Sequence, residues 1–328
     1  MKCGVMLINT GVPESDSAGA LHGYAETVLG GNLYTEGLGI MQRQMFRRIT
    51  IPAKARAWRR YFHGDGDVTS SYLTLAESLR SKLATKLTSA TRTPCVVVTA
   101  MRCGTPSLED AAGQLAEEGC DIVFLLPLYP LRFPPVTVAA LEGARAAIER
   151  VGAGAWEPRL VEIDSFCKTP GFAQALAQRI ERDWEPRNVS RLLILMPSEP
   201  RALAQADTVY EEQIEWLTQR LCQLLKISPG LVHVAFVCDY DNAHWLGPFA
   251  EKTLMGWVAG VRDVKAICPA FCMPDALGSY DAGSRMEEFF RANVMGKPPS
   301  YDFVAPLGDS DELVDVLCDV VTKALRRG

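Results

Sequence analysis

The chain has 328 residues, which at roughly 150 residues per domain indicates two domains. Its 34 Lys and Arg against 39 Asp and Glu leave a formal charge of -5, which argues against a nucleic-acid partner because such partners need a basic face. The sequence is 48% hydrophobic, as in globular proteins, and no apolar run approaches the roughly 20 residues of a membrane span.

Strand-like and helix-like segments alternate along the chain. Seven short runs rich in Val, Ile, Leu or Phe have the composition of parallel strands that are covered on both faces. These predicted strands are Gly4–Asn9, Cys95–Met101, Ile122–Leu128, Leu160–Ile163, Leu192–Met196, Val232–Cys238 and Val264–Cys268. The predicted helices are Ser70–Leu87, Ser107–Glu118, Val138–Val151, Gly171–Asp183, Thr208–Leu225, Gly247–Val258 and Asp311–Leu325. This alternation predicts an α/β fold with parallel sheets.

The strand–helix rhythm occurs twice, so we expect two similar Rossmann-like lobes. The glycine-rich segment Val151–Ala155 interrupts the rhythm near the middle of the chain. We therefore assign residues 1–151 to a first lobe and residues 152–307 to a second. The last helix, about residues 308–328, is expected to pack back on the first lobe.

Parallel sheets of this kind bind ligands outside the carboxyl ends of their strands. The residues that follow Asn9, Met101, Leu128, Met196 and Cys268 are therefore the first candidates for a site. The chain has only four histidines, the usual acid–base groups at neutral pH, and none forms a pair with metal-ligand spacing. The sequence therefore predicts no metal site.

The ten cysteines indicate a reducing compartment, because most of them lie inside apolar runs. Cys268 and Cys272 form a close pair, but a metal would need two more ligands nearby. The first strand begins at Gly4, so we expect no cleavable presequence. The expected compartment is the cytoplasm or, in a eukaryote, the mitochondrion.

Several segments, in order along nearly the whole chain, resemble those of ferrochelatases, which insert ferrous iron into a porphyrin. They are Met6–Pro13, Ile51–Ala55, Ala100–Arg102 with Pro106 and Ser107, Leu126–Pro130, Pro170–Phe172, Trp245–Pro248 and Cys268–Phe271. The resemblance implies the chelatase fold, in which two lobes hold a porphyrin in the cleft between them. It also places the protein in haem biosynthesis or another part of tetrapyrrole metabolism.

Two positions depart from the family pattern where that pattern has its proton-handling residues. Aligned on Pro200, the family's histidine position is Pro197, and aligned on Asp275, its glutamate position is Gly278. Neither residue accepts a proton, yet metallation needs a base that takes protons from the ring. The resemblance therefore implies that iron insertion is lost or strongly reduced.

Other residues near the same strand ends are candidates for ligand contact. Glu199 and Asp281 are possible substitutes for the missing proton acceptors, and the two arginines of the set suit propionate groups. The predicted porphyrin-binding residues are Asn9, Arg102, Cys103, Leu131, Arg132, Phe133 and Ser198. No separate cofactor is expected, since the porphyrin or haem is itself the ligand.

Three functions remain open at this point. The first is a tetrapyrrole-binding protein without catalysis, the second is an active ferrochelatase that uses substitute carboxylates, and the third is a non-catalytic partner subunit of a true chelatase. The expected protein partner is a second copy of this chain, in a homodimer, or a chelatase.

Two further expectations follow from the resemblance. Peripheral membrane contact would use an apolar lip formed by Leu38, Ile40, Met41, Met45 and Phe46. Some ferrochelatases carry a C-terminal iron–sulfur cluster held by cysteines. Because only Cys318 lies beyond Cys272, no such cluster is expected here.

Overall fold

A computed structural model describes residues 2–63, 68–91, 94–182, 184–238, 244–297 and 299–327. These residues form two four-stranded parallel sheets flanked by helices. The predicted α/β class with two similar lobes is confirmed. Of the predicted elements, the helix end at Asp183 lies outside the described residues.

The first sheet consists of strands β1 to β4 in the order β2-β1-β3-β4. The strands are β1 (Cys3–Gly11), β2 (Cys95–Cys103), β3 (Ile122–Pro127) and β4 (Arg159–Glu162). β1 is buried along its whole length because it pairs with β2 on one side and β3 on the other. The carboxyl ends of β1 and β3 therefore lie side by side at one edge of this sheet.

The second sheet repeats this order as β6-β5-β7-β8. Its strands are β5 (Ser190–Pro197), β6 (Val232–Val237), β7 (Asp263–Ile267) and β8 (Ser300–Val304). The sequence analysis missed β8, an edge strand that pairs only with β7 among the described residues. The repeated order places the ends of β5 and β7 where the first lobe has those of β1 and β3.

Helices cover both sheets. They are α1 (Ala18–Leu29), α2 (Ile40–Met45), α3 (Ile51–Phe62), α4 (Val68–Ala90), α5 (Leu108–Glu117), α6 (Pro134–Gly152), α7 (Phe172–Glu181), α8 (Arg201–Ala206), α9 (Val209–Leu225), α10 (Ala250–Trp257), α11 (Arg285–Asn293) and α12 (Asp311–Arg327). Two π-helical segments, Phe46–Thr50 and Ala276–Ser284, precede α3 and α11. Such wider turns are rare and recur at functional sites.

The first sheet extends past the lobe boundary that the sequence suggested. β4 pairs with β3 in register from Ile122 with Arg159 to Leu125 with Glu162, although it follows residue 151. The glycine-rich segment is thus a turn within the first lobe, and we place the end of the first sheet at Glu162. The last helix, α12, packs against α4 of the first lobe, where Lys82 lies 3.1 Å from Asp311.

Candidate functional site

The carboxyl ends of β1, β3, β5 and β7 meet between the two lobes. A hydrogen-bond chain crosses this boundary: Thr10 Oγ1 lies 2.9 Å from the Tyr129 hydroxyl and donates to Asp275 Oδ2 at 3.3 Å. Burial raises the pKa of Asp275 to about 7, while bonds from the Gly278 N–H and Thr10 oppose that rise. The lobes are therefore joined by a buried polar network at the edge where ligands of this fold bind.

A buried ion pair forms a second link between the lobes. Lys54 Nζ, on α3, lies 2.8 Å from Asp281 Oδ2 on the second π-helical segment, and Trp58 Nε1 donates to the same oxygen at 2.9 Å. Arg285 Nε lies 3.5 Å from the other oxygen of Asp281. Burial lowers the pKa of Lys54, and the Asp281 carboxylate opposes that change. Asp281 is thus engaged by groups of both lobes.

The space left between these groups is small. The cavity at this point has a volume of about 20 Å³, and its lining includes Tyr34, Lys54, Pro197, Ser198 and Asp281. That volume is about enough for one water, whereas pockets for organic ligands span about 300–1,000 Å³. Side chains of the protein itself therefore fill this part of the boundary between the lobes.

Pro197 is the last residue of β5, and packing fixes it there. Its carbonyl accepts a hydrogen bond of 3.0 Å from the buried Tyr210 hydroxyl, while the following Ser198 donates its hydroxyl to the Leu246 carbonyl at 2.7 Å. Both polar groups of this turn are satisfied within the protein. The Pro197 carbonyl and the Ser198 hydroxyl at the end of β5 are therefore already engaged in hydrogen bonds within the protein.

Gly278 lies in the second π-helical segment against an aromatic ring. A Cβ at this position would lie 2.9 Å from Phe271 Cδ2 and 3.3 Å from Asp275 Oδ1. The first of these distances is shorter than real contacts of a Cβ atom, so the Phe271 ring or the backbone at Gly278 would have to shift. The close approach of Phe271 explains why this position holds a glycine.

Glu199 is the most unusual group of the site. Its side chain is 0% exposed, and neither carboxyl oxygen has a hydrogen-bond partner within the described part of the chain. Burial raises its pKa to about 8, with smaller contributions from the charges of Glu211 and Asp207, while Arg132 opposes them. The carboxyl group is therefore mostly protonated at neutral pH.

Arg102 and Tyr34 place two buried hydrogen-bond donors at the first lobe's side of the site. Arg102 Nη2 donates to the Thr27 carbonyl at 3.1 Å, but Nη1 is buried without an acceptor among the described residues. The Tyr34 hydroxyl is likewise buried and without a partner there. Burial raises the pKa of Tyr34, and the nearby positive charge of Arg102 opposes the rise. Sequence reasoning named Arg102 but missed Tyr34, which lies outside every predicted element.

Arg132 is held by the carboxylates of both lobes. It forms a close ion pair with Asp207, and its Nε lies 3.3 Å from Asp164 Oδ2. Its backbone N–H donates to Gln213 Oε1 at 2.7 Å. The guanidinium predicted to hold a propionate therefore already has acidic partners.

The remaining predicted contact residues lie inside the first lobe. Leu131 and Phe133 are buried, and the Phe133 ring packs against Tyr210 with ring centres 5.2 Å apart. Asn9 is buried opposite Met101 in the strand register. Cys103 is partly buried, which raises the pKa of its thiol. Their contact with a porphyrin stays a prediction.

Two further observations concern the described residues as a whole. No group of three or more His, Cys, Asp or Glu side chains lies close enough together there to hold a metal ion. Among the same residues, no helix is both long and apolar enough to cross a membrane.

Comparison with solved structures defines the fold as that of the chelatases. SirB from Bacillus subtilis with Fe3+ has a TM-score of 0.56 at 11% identity, with 98% of this chain and 95% of that chain covered. The sirohydrochlorin chelatase SirB from Bacillus subtilis subspecies spizizenii, in complex with cobalt, has a TM-score of 0.53 at 10% identity. This second comparison likewise covers 98% of this chain and 95% of that chain.

Sequence comparison gives the family. The family model for ferrochelatase matches residues 2–325. The chain is 25% identical to ferrochelatase of Nitrosococcus oceani, with 99% of this chain and 87% of that protein covered, and 26% identical to ferrochelatase 2 of Shewanella oneidensis, with 98% and 97% covered. The chain therefore belongs to the ferrochelatase family, and its place is in tetrapyrrole metabolism.

Proposed function

We propose that this protein binds a porphyrin or haem between its lobes and has lost iron insertion or retains it at a strongly reduced level. The observation that carries this proposal is the state of the proton acceptors. Pro197 and Gly278 have no acceptor side chain, Asp281 is paired with Lys54, and the pKa of Glu199 is about 8. A porphyrin takes up a metal only when its two pyrrole protons leave, and the two positions that handle those protons in the family hold no acceptor side chain here.

The binding part of the proposal rests on the unpaired donors. A buried polar group without a partner is costly, so native proteins rarely leave one. Arg102 Nη1 and the Tyr34 hydroxyl are two such donors, and each lacks an acceptor within the described residues. A carboxylate of a tetrapyrrole would supply acceptors to both, with Arg102 also supplying the opposite charge.

Entry of a tetrapyrrole requires the lobes to separate. A cavity of about 20 Å³ does not admit the ring, so residues that line it, Lys54 and Asp281 among them, have to move apart first. Binding that waits for such an opening is slower than simple docking. We therefore expect an observed binding rate that levels off as the porphyrin concentration rises.

An anaerobic absorbance titration with protoporphyrin tests the proposal. We expect a saturable shift of the Soret band, at least about tenfold weaker in Arg102→Ala because a charge-assisted contact is lost. Arg145→Ala is the matched control, since Arg145 pairs with Glu162 on the exposed face of the first lobe. Addition of ferrous iron or zinc should produce metalloporphyrin at the rate without protein or only slightly above it.

The same titration separates the two other functions. Steady metalloporphyrin formation that disappears in Glu199→Gln would identify an active chelatase with a substitute carboxylate. No Soret shift in the folded protein would leave the third function, a partner subunit. Sedimentation of this chain alone and with a true ferrochelatase would then distinguish a homodimer from a mixed complex.

Peripheral membrane contact is a second proposed property, and exposed apolar side chains support it. Ile40 is 81% exposed and Met41 76% exposed, with Met45 nearby on α2 and Ile49 on the π-helical segment that follows it. Arg43, Arg47 and Arg48 lie among them, as in helices that rest on anionic lipid. The lip expected from sequence is corrected at Leu38 and Phe46, which pack inside the fold.

Co-sedimentation with phosphatidylglycerol vesicles tests this contact. Ile40→Ser with Ile49→Ser should release most of the bound protein, since both side chains lose their apolar surface. Met295→Ser is the control, because Met295 is 91% exposed but lies before β8 in the second lobe. Equal loss in both variants would contradict the contact.

A further inference from the structure

Two cysteines face each other at the amino ends of β1 and β2, away from the candidate site. Cys3 and Cys95 are direct partners in the parallel register of these strands, so their side chains leave the sheet on the same face. Neighbouring strands are about 4.8 Å apart. This spacing lies inside the roughly 4.4–6.8 Å between α-carbons that a disulfide bridges.

The two thiols also differ in access to solvent. Cys3 is fully buried, whereas Cys95 is partly exposed. The influence of each thiol on the other lowers the pKa of Cys95 to about 6 and, together with burial, raises that of Cys3. Thr91 Oγ1, 3.6 Å from Cys95 Sγ, also lowers the pKa of Cys95. An accessible thiolate beside a second thiol is the arrangement of redox-sensitive cysteines.

We propose that Cys3 and Cys95 are a peroxide-reactive pair that closes a disulfide between β1 and β2. This reaction goes beyond the proposed function because it needs neither a porphyrin nor the inter-lobe site. β1 spans nine residues, so the pair lies roughly 26 Å from the end of the strand that reaches that site.

The reaction balances with hydrogen peroxide as the oxidant. The Cys95 thiolate attacks one peroxide oxygen, a sulfur–oxygen bond forms, the oxygen–oxygen bond breaks, and hydroxide leaves. The Cys3 sulfur then attacks the Cys95 sulfur, its proton goes to the departing oxygen, and water leaves. In sum, two thiols and one peroxide give one disulfide and two waters. A dithiol reductant reverses the bridge by exchange.

Other cysteines are poorer candidates. Burial raises the pKa of Cys268 and of Cys272, so both stay protonated and unreactive. Cys120 is the other cysteine that could form a disulfide with Cys3. It is close enough to contribute to the raised pKa of Cys3, and its sulfur lies beside Gly4, the next residue of β1. Burial raises the pKa of Cys120, which favours Cys95 as the group that reacts first.

Peptide mass spectrometry of the folded full-length protein after brief exposure to hydrogen peroxide tests the pair. We expect a peptide linked through Cys3 and Cys95, lighter by two hydrogens than the two thiol peptides and removed by a dithiol reductant. In Cys3→Ala, Cys95 should form no link and should pass more slowly to sulfenic and sulfinic acid, because no thiol resolves it and the interaction that lowers its pKa is lost. Cys222→Ser, a partly exposed cysteine elsewhere, should leave the link unchanged.

Two results would overturn the proposal. One is a bridge from Cys3 to Cys120, and the other is sulfinic acid on Cys95 of the natural sequence with Cys3 still reduced. Both are read on the unaltered protein, so they do not depend on whether a cysteine variant folds. The test also uses no porphyrin, so its failure is distinct from a failure of the tetrapyrrole proposal.

Discussion

Two buried carboxyl groups of the second lobe, Asp281 and Glu199, follow the neighbouring strands β7 and β5, and they differ in whether the protein gives them a polar partner. Asp281 has Lys54 and Trp58 of the first lobe within hydrogen-bond distance, whereas Glu199 has no hydrogen-bond partner in the described residues. A buried carboxylate keeps its charge where an opposite charge supports it and keeps its proton where none does. Position after a strand therefore does not decide whether a carboxyl group can serve as a base.

Breaking the pair at Asp281 should have the largest effect. Lys54→Met leaves a buried carboxylate without its main counter-charge, which destabilises proteins by about 3–5 kcal/mol. Urea unfolding at pH 7 measures this loss. The double variant Lys54→Met with Asp281→Leu should recover part of it, because no lone charge remains.

An exposed pair provides the control for that experiment. Lys323 lies 3.3 Å from Asp319 on α12, and both side chains are about half exposed. Lys323→Met should change the free energy of unfolding by less than about 1 kcal/mol. A similar loss in Lys54→Met and Lys323→Met would show that the buried pair is not a structural link.

The turn that carries Asp281 can be tested at Gly278. Gly278→Ala forces a methyl group against Phe271, 2.9 Å away, and such overpacking destabilises by about 1–3 kcal/mol. Gly113→Ala is the control, since this α5 glycine has no neighbouring atom within 4 Å of a new Cβ. There we expect a gain of about 0.5–1 kcal/mol, measured by the same unfolding curves.

Glu199 makes a pH-dependent contribution to stability. Its pKa is about 8 in the folded protein against an ordinary value of 4.5, so the folded state binds the extra proton between these values. Its contribution to stability is therefore full below about pH 4.5 and is lost as the pH rises through 8. Glu199→Gln removes this loss. The free energy of unfolding of the variant, relative to that of the natural protein, should therefore rise by about 1 kcal/mol per pH unit between pH 4.5 and 8.

Unfolding in urea at several pH values between 5 and 8 measures the difference. Glu215→Gln is the control, because Glu215 is an exposed residue of α9 bonded to Gln219. Parallel stability profiles for the natural protein and Glu199→Gln would show that the Glu199 carboxyl finds a partner in solution.

The smallest effect is expected at the end of β5. Tyr210→Phe removes the hydroxyl that bonds the Pro197 carbonyl, which lowers stability by about 1 kcal/mol. Tyr301→Phe is a matched control, because the Tyr301 hydroxyl is buried without a partner in the described chain. Its loss should be neutral or slightly stabilising. Equal effects would mean that the bond to Pro197 does not hold the turn.

Local pattern was enough to predict most of the sheet from sequence. The apolar runs predicted seven of the strands because buried parallel strands are apolar on both faces. The pattern failed for β8, where exposed Asp302 sits between Tyr301 and Phe303 at the sheet edge. It also failed to predict α1 to α3, α8 and α11; α2 and α8 have only six residues each, too few to show a helical period.

The candidate site was predictable only in part. Glu199 and Asp281 could be named because each follows the end of a strand, and the structure places both at the site. Their opposite states were not predictable, since Trp58 and Asp281 are separated by 223 positions in sequence. The small size of the cavity between the lobes was not predictable either, because its lining combines residues that are far apart in the sequence, such as Tyr34 and Asp281.

The position of α12 bears on how the protein folds during synthesis. Chains emerge from the ribosome from the amino terminus, and a lobe completes its packing only when all its segments are available. Because α12 packs against α4, the first lobe to be translated receives its last helix only after the whole second lobe has been made. Until then the face of α4 that α12 covers stays open to water, and a ribosome stalled within the second lobe would hold a first lobe that is still incomplete.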